Sequence, residues 1–190
     1  MQLKDSQASY GLVSIINHWA TAALVVLALG IGLILEDLAR GDLKSNVVMV
    51  HMTAGLLVLA LGLLRLGWRT TQPRPEPAGQ PAGWEQRAAR LGHGALAIMI
   101  LLMPLSGILM QIGEGHAVGM FGLVLIEGSG REIEVLEQVG HVIHGFGGNL
   151  LIGLIALHVL AAIKHHVFDR DATLVRMLGR ARQPEAVPGT

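Results

Sequence analysis

The amino-acid sequence predicts an all-α fold, an integral membrane four-helix bundle with both termini cytoplasmic. Three observations carry this. Mean hydropathy is +0.53 over 190 residues, 52% of them hydrophobic and only 15% charged, too apolar for an ordinary water-soluble domain. Uncharged runs cover residues 12–35, 47–64, 91–113 and 139–163, which are 24, 18, 23 and 25 residues long. A hydrocarbon core of about 30 Å needs roughly 20 helical residues. Finally, the basic residues segregate. Lys4, Arg65, Arg69, Arg74, Arg87, Arg90, Lys164, Arg170, Arg176, Arg180 and Arg182 fall on one side of the spans, and only Arg40, Lys44 and Arg131 on the other. The positive-inside rule places the richer side in the cytoplasm.

The elements follow in order within one membrane domain, 1–190. Helix one is expected over about 12–35, after a short polar lead, and it is too long to be a cleaved signal. Residues 36–46 form an acidic and polar external turn. Helix two is expected over about 47–68, lengthened by Arg65 snorkelling to the headgroups. Residues 70–83 hold Pro73, Pro75, Pro77 and Pro81, the composition of an extended cytoplasmic linker. Helix three is expected over about 91–113, with Pro104 kinking it and residues 85–90 forming an amphipathic lead. The uncharged stretch 118–126 is too short to span, so it lies in the interface or caps the bundle. Helix four is expected over about 139–164, followed by a basic cytoplasmic tail, 165–190.

Four histidines lie inside these apolar spans, where an ionisable side chain is costly and marks a functional site. Topology pairs them by depth: His18 with His158 near the cytoplasmic side, and His51 with His144 near the external side. His144 and His158 are 14 residues apart (158 − 144), so they share one helix face about 21 Å apart along the axis. Two imidazoles per level, from two facing helices, form the ligand set of a low-spin haem b. The chain has no cysteine, which excludes covalent Cys-x-x-Cys-His attachment and Fe–S clusters. The expectation is two non-covalent haems b, their iron held by His18 with His158 and by His51 with His144. Zinc fits poorly because no carboxylate or thiol lies in any span. A proton or ion path fits poorly because the runs hold no charged residue. The residue one turn after each proposed ligand is small: Ala22, Gly55, Gly148 and Ala162, leaving room for a porphyrin plane. His93 is placed to contact a haem propionate or a quinone carbonyl. His141 is a poorer ligand, nearer the surface than His144. His116 falls in a loop, and His165 and His166 lie beyond the last span.

These residues resemble the prokaryotic cytochrome b561 family, four-helix inner-membrane proteins with two haems b, which includes superoxide oxidase. The resemblance covers nearly the whole chain. It rests on Asn17, His18 and Trp19 opening helix one, His51 opening helix two, and Leu91, Gly92, His93 and Pro104 in helix three. It continues with the His144/His158 spacing and the tail from His165 and His166 through Phe168, Asp169, Arg170 and Asp171 to Met177. The resemblance implies the same bis-histidine pairs and electron exchange with ubiquinone or another membrane quinone.

The expected function is therefore electron transfer across the bacterial inner membrane between an external donor and quinone, by an oxidoreductase of the cytochrome b561 type. Superoxide oxidation is one alternative. Another is an electron-wire subunit of a hydrogenase or dehydrogenase complex, recognisable by a copurifying partner. A haem-free membrane protein is a third, decided by an optical spectrum. The partners are lipid, quinone and an external donor; zero net charge gives no sign of nucleic acid. The external segments carry Glu36, Asp37, Asp42, Glu114, Glu127, Glu132, Glu134 and Glu137 against three basic residues, a net −5 (3 − 8) that opposes the approach of a small anion such as superoxide.

Overall fold

A computed structural model of the protein describes residues 2–79 and 82–180. Pro81 of the linker and residues 181–190 of the tail, Arg182 among them, lie outside the described residues. Four long helices follow the four apolar runs: α1 (Leu12–Asp37), α2 (Asp42–Thr70), α3 (Gly83–Gly113) and α4 (Glu134–Lys164). Each is long and apolar enough to cross a membrane. Between α3 and α4 lies a hairpin of β1 (Val118–Met120) and β2 (Leu123–Ile126), and a π-type turn (His165–Asp169) leads to a short α5 (Thr173–Met177).

Three helices begin earlier than their apolar runs, by five residues in α2, eight in α3 and five in α4, when bounds of 47, 91 and 139 are compared with the observed starts. An uncharged run marks where a helix crosses hydrocarbon, whereas the helix itself continues into the headgroups wherever its backbone is satisfied. Acidic residues in the first turns of α2 (Asp42), α3 (Glu85) and α4 (Glu134, Glu137) complement the positive N-terminal dipole. Glu85 also accepts from the Ala82 N–H at 3.1 Å, capping α3. Pro104 lies inside α3, which runs through it.

The helices meet through small residues, the means by which backbones approach in a membrane. A Cβ on Gly140 of α4 would stand 2.6 Å from the Met110 nitrogen of α3, and one on Gly62 of α2 would stand 2.9 Å from Ile100 Cγ2. The buried core is small: Val25, Val58, Met99 and Leu151, one residue from each long helix, ringed by Leu24, Leu29, Leu96, Ile100, Met103, Leu154 and Ile155. Val25 is seven residues beyond His18 and Val58 seven beyond His51, while Leu151 is midway between His144 and His158. The core is thus an apolar layer at mid-depth, with one histidine level about 10 Å to either side.

The two ends are built differently. At one end the N-terminal lead, the Pro-rich linker and the tail are tied together. The Glu76 N–H donates to the Gln7 carbonyl at 2.9 Å, and Arg176 Nη1 to the Glu76 carbonyl at 2.6 Å. Trp19 Nε1 donates to the Met177 carbonyl at 2.9 Å. At the other end the β1–β2 hairpin turns through Phe121 and Gly122, both with positive φ (51° and 80°), as a two-residue hairpin turn requires. Val118 is 1% exposed, and the Phe121 N–H donates to Thr53 Oγ1 of α2 at 3.3 Å. Val118 and Phe121 thus join the hairpin to the bundle end, while Leu123–Ile126 present an exposed apolar strand.

Candidate functional site

Two levels of imidazoles line the bundle. At the hairpin end, His51 of α2 and His144 of α4 face each other with ring centroids 5.9 Å apart. At the termini end, His18 of α1 and His158 of α4 are 6.3 Å apart. With metal–imidazole bonds of about 2 Å, two rings on opposite sides of one metal place their centroids roughly 6 Å apart. Edge-to-face ring contact occupies the same range, so the surroundings must discriminate.

Those surroundings fit haem b. A Cβ on Gly32 of α1 would stand 3.3 Å from His51 Cε1, and one on Gly107 of α3 would stand 3.2 Å from His144 Cε1. Glycine at these two positions lets each imidazole press against a neighbouring helix instead of filling the space between the pair. A Cβ on Gly55 would meet nothing within 4 Å, and one on Gly148 only Met103 Cε at 3.8 Å, so the small residues one turn beyond these histidines border open space. Among the described residues, two polar atoms of α1, Asn17 Oδ1 and Thr21 Oγ1, are buried without a hydrogen-bond partner. The donor set at each level is imidazole alone, which suits haem iron better than a hard cation.

His144 is held by two partners on one side of its ring. Its Nδ1 lies 3.1 Å from the Met103 carbonyl and 3.0 Å from Ser106 Oγ. A carbonyl only accepts, so Nδ1 carries the proton and the lone pair of Nε2 is free; such second partners fix ring and tautomer. Ser106 Oγ is itself 2.8 Å from the Met103 carbonyl, in the turn that contains Pro104. A proline at 104 has no N–H to offer the preceding turn. Ser106 and Gly107 fall in a stretch after Pro104 whose small residues permit close packing, but nothing in the sequence assigns them or Gly32 to this site. The proline-containing turn was the available signal for the first, and the two glycines carry none without the helix pairing.

His93 stands at the termini end. It lies ten residues into α3, and its ring centroid is 5.5 Å from that of His158. The termini end therefore gathers three histidines, and His158 is shared between His18 and His93. Arg65 departs from expectation. Instead of reaching only for headgroups, its Nη1 lies 3.3 Å from His18 Nδ1, because α1–α2 packing sets the two side chains opposite each other. Asn17 anchors that packing by donating from Nδ2 to the Leu61 carbonyl at 3.1 Å.

The other histidines stand apart from both levels. His141 Nε2 lies 3.6 Å from Glu114 Oε1 and His116 Nδ1 3.0 Å from Glu114 Oε2, a surface cluster at the hairpin end. His165 Nδ1 lies 2.9 Å from Asp169 and 2.8 Å from Asp171, while His166 is exposed. Burial raises the affinity of the Asp171 carboxyl for its proton, but hydrogen bonds from Thr173 and His165 outweigh it and hold the group below its ordinary pKa.

The family of prokaryotic cytochrome b561 matches residues 9–180, a match that takes in both histidine levels and the tail. The chain belongs to that family. Cytochrome b561 homolog 2 of Escherichia coli K12 is 27% identical, over 95% of this chain and 97% of its own length. The probable superoxide oxidase of Yersinia pestis is 25% identical, over 91% and 97%. Cytochrome b562 of Cereibacter sphaeroides is 27% identical, over 90% and 96%. As a cytochrome b561 family member, the protein is a bacterial membrane haem protein of electron transport, and its four spans form the corresponding bundle.

Proposed function

We propose that this cytochrome b561 family protein holds two non-covalent haems b and passes electrons between a donor outside the cell's inner membrane and a membrane quinone. His18 with His158 and His51 with His144 are the axial pairs. The observation that carries this reading is the pair of imidazole separations, 6.3 and 5.9 Å, at two depths of one bundle. Both termini are cytoplasmic in this reading, from the eleven-to-three division of basic residues.

The haems supply the one-electron chemistry; the chain supplies ligands, orientation and a dry interior. The Met103 carbonyl and Ser106 hold the proton of His144 on Nδ1 and aim Nε2 inward. Val25, Val58, Met99 and Leu151 keep water and ions out of the layer between the two levels. His93, beside His158, is placed to meet a quinone carbonyl or a haem propionate from α3. Pyridine haemochrome analysis against protein concentration tests the reading. Two haems b per chain, extractable by acid–solvent treatment, are expected; one haem per chain overturns the two-pair assignment. Anaerobic titration with a quinone analogue then tests the acceptor.

A second reading, superoxide as the external donor, is favoured by the similarity to the Yersinia pestis protein. The net −5 (3 − 8) of the external segments opposes it.

A further inference from the structure

We propose that Arg65 and Arg69 form the seat for the haem propionates at the termini end. The proposal rests on His18 and His158 being a haem pair. Arg65 lies half-buried within α2, with Nη1 3.3 Å from His18 Nδ1. Arg69 stands one turn further along α2 and is exposed. Like charges four residues apart on one helix repel (69 − 65).

Among the described residues, neither arginine has a carboxylate partner, and four carboxylates of that end are engaged elsewhere. Glu85 and Asp169 bind Lys164 at 2.7 and 2.8 Å, and Asp171 binds His165. Asp5 accepts from the Gly11 N–H and the Ser14 hydroxyl at 2.6 and 2.8 Å. Arg65, half-buried beside His18, is costly without an anion to join it, and the exposed Arg69 stands one turn nearer the helix end. A haem b carries two carboxylates on one edge, and they must leave the hydrocarbon toward the nearest water. At this level that direction runs along the last turns of α2, where Arg65 and Arg69 stand. Arginine's planar fork suits a carboxylate.

The contact with His18 puts a guanidinium beside the ring that the proposed function gives to this haem, whereas the corresponding nitrogen of His144 faces the Met103 carbonyl.

The test is Arg65→Gln in the full chain, purified with its haems and examined by haem content and redox titration. The component missing in His158→Ala identifies the termini-end haem. In Arg65→Gln the hairpin-end haem is retained. The termini-end haem is lost or, where retained, its midpoint potential falls by roughly 60 mV, a tenfold change in the ferrous-to-ferric ratio at 59 mV per decade. The sign follows because a cation at the propionates favours the reduced, less positive iron. Arg65→Lys restores haem content and most of the potential, and Arg69→Gln lowers the potential of the same component. Wild-type content and potential for that component in Arg65→Gln overturn the proposal and leave the two-haem reading intact. A wild-type protein with one haem per chain overturns the reading beneath it. If Arg65→Gln fails to accumulate, Arg69→Gln decides: a termini-end potential equal to wild type overturns the seat.

Discussion

His144 and His158 stand on one helix, yet replacing them should report on separate sites. They are about 21 Å apart along α4 with the apolar layer of Leu151 between them, a distance at which substitutions act independently. His144→Ala should remove one spectral haem component and His158→Ala the other, with His51→Ala and His18→Ala reproducing each loss. Low-temperature difference spectra of the four single mutants check this. His93→Ala should keep both components, since His18 already completes the pair with His158; loss of the termini-end haem in that variant, with retention in His18→Ala, would move the ligand from α1 to α3. Ser106→Ala should be mild. The Met103 carbonyl remains to hold the His144 proton, so haem affinity should fall by no more than about tenfold, the low end for loss of such a supporting partner.

The elements themselves make two testable statements. Gly107 of α3 gives the His144 ring its place, because a Cβ there would already crowd Cε1 at 3.2 Å. Gly107→Val should therefore lower occupancy of the hairpin-end haem while leaving the termini-end haem intact, read by haem-to-protein ratio. The tail forms the second case. Asp171 collects donors from Thr173 and His165, and its carboxyl is held below the ordinary value of about 3.9. A depressed carboxyl contributes stability that is present above its unfolded pKa and is lost as pH falls through its folded pKa. The turn joining α4 to α5 should accordingly stay closed at neutral pH and open as the pH drops below about 4. Limited proteolysis of the tail across that range checks it, and Asp171→Asn should open the tail at pH 7 as well.

At the scale of the whole molecule, charge decides which donors approach. The segments that the proposed topology places outside sum to −5 (3 − 8), and the structure sets Glu114 and Glu137 beside the hairpin end with the exposed Glu132 and Glu134. Steering by charge changes association rates by 10–10³-fold and weakens as salt screens it. Superoxide should reduce this protein more slowly than a small cationic donor of similar potential, and the rate should rise with ionic strength. Replacing Glu132, Glu134 and Glu137 by lysine should raise it further. Pulse radiolysis at two salt concentrations checks both; a rate near the diffusion limit that falls with added salt would make superoxide the donor.

Much of this was legible in the sequence because a bilayer makes burial a linear property. Four runs of 18 to 25 uncharged residues can satisfy their backbone in hydrocarbon only as helices, so the number of spans and the order of the bundle follow from composition. The depths of His18, His51, His144 and His158 follow from their positions along those runs, and so does their pairing by level. What faces what across the bundle does not follow, because it depends on how each helix is rotated about its axis. That rotation is set by contacts such as Gly140 on Met110 and Asn17 on the Leu61 carbonyl. Tertiary structure alone therefore turned Arg65 toward His18, brought His93 to His158, set the Met103 carbonyl and Ser106 behind His144, and used Gly32 and Gly107 to seat the histidine rings. Helical spans are decided residue by residue against lipid, but a site between helices is decided by the few close approaches that fix their rotation.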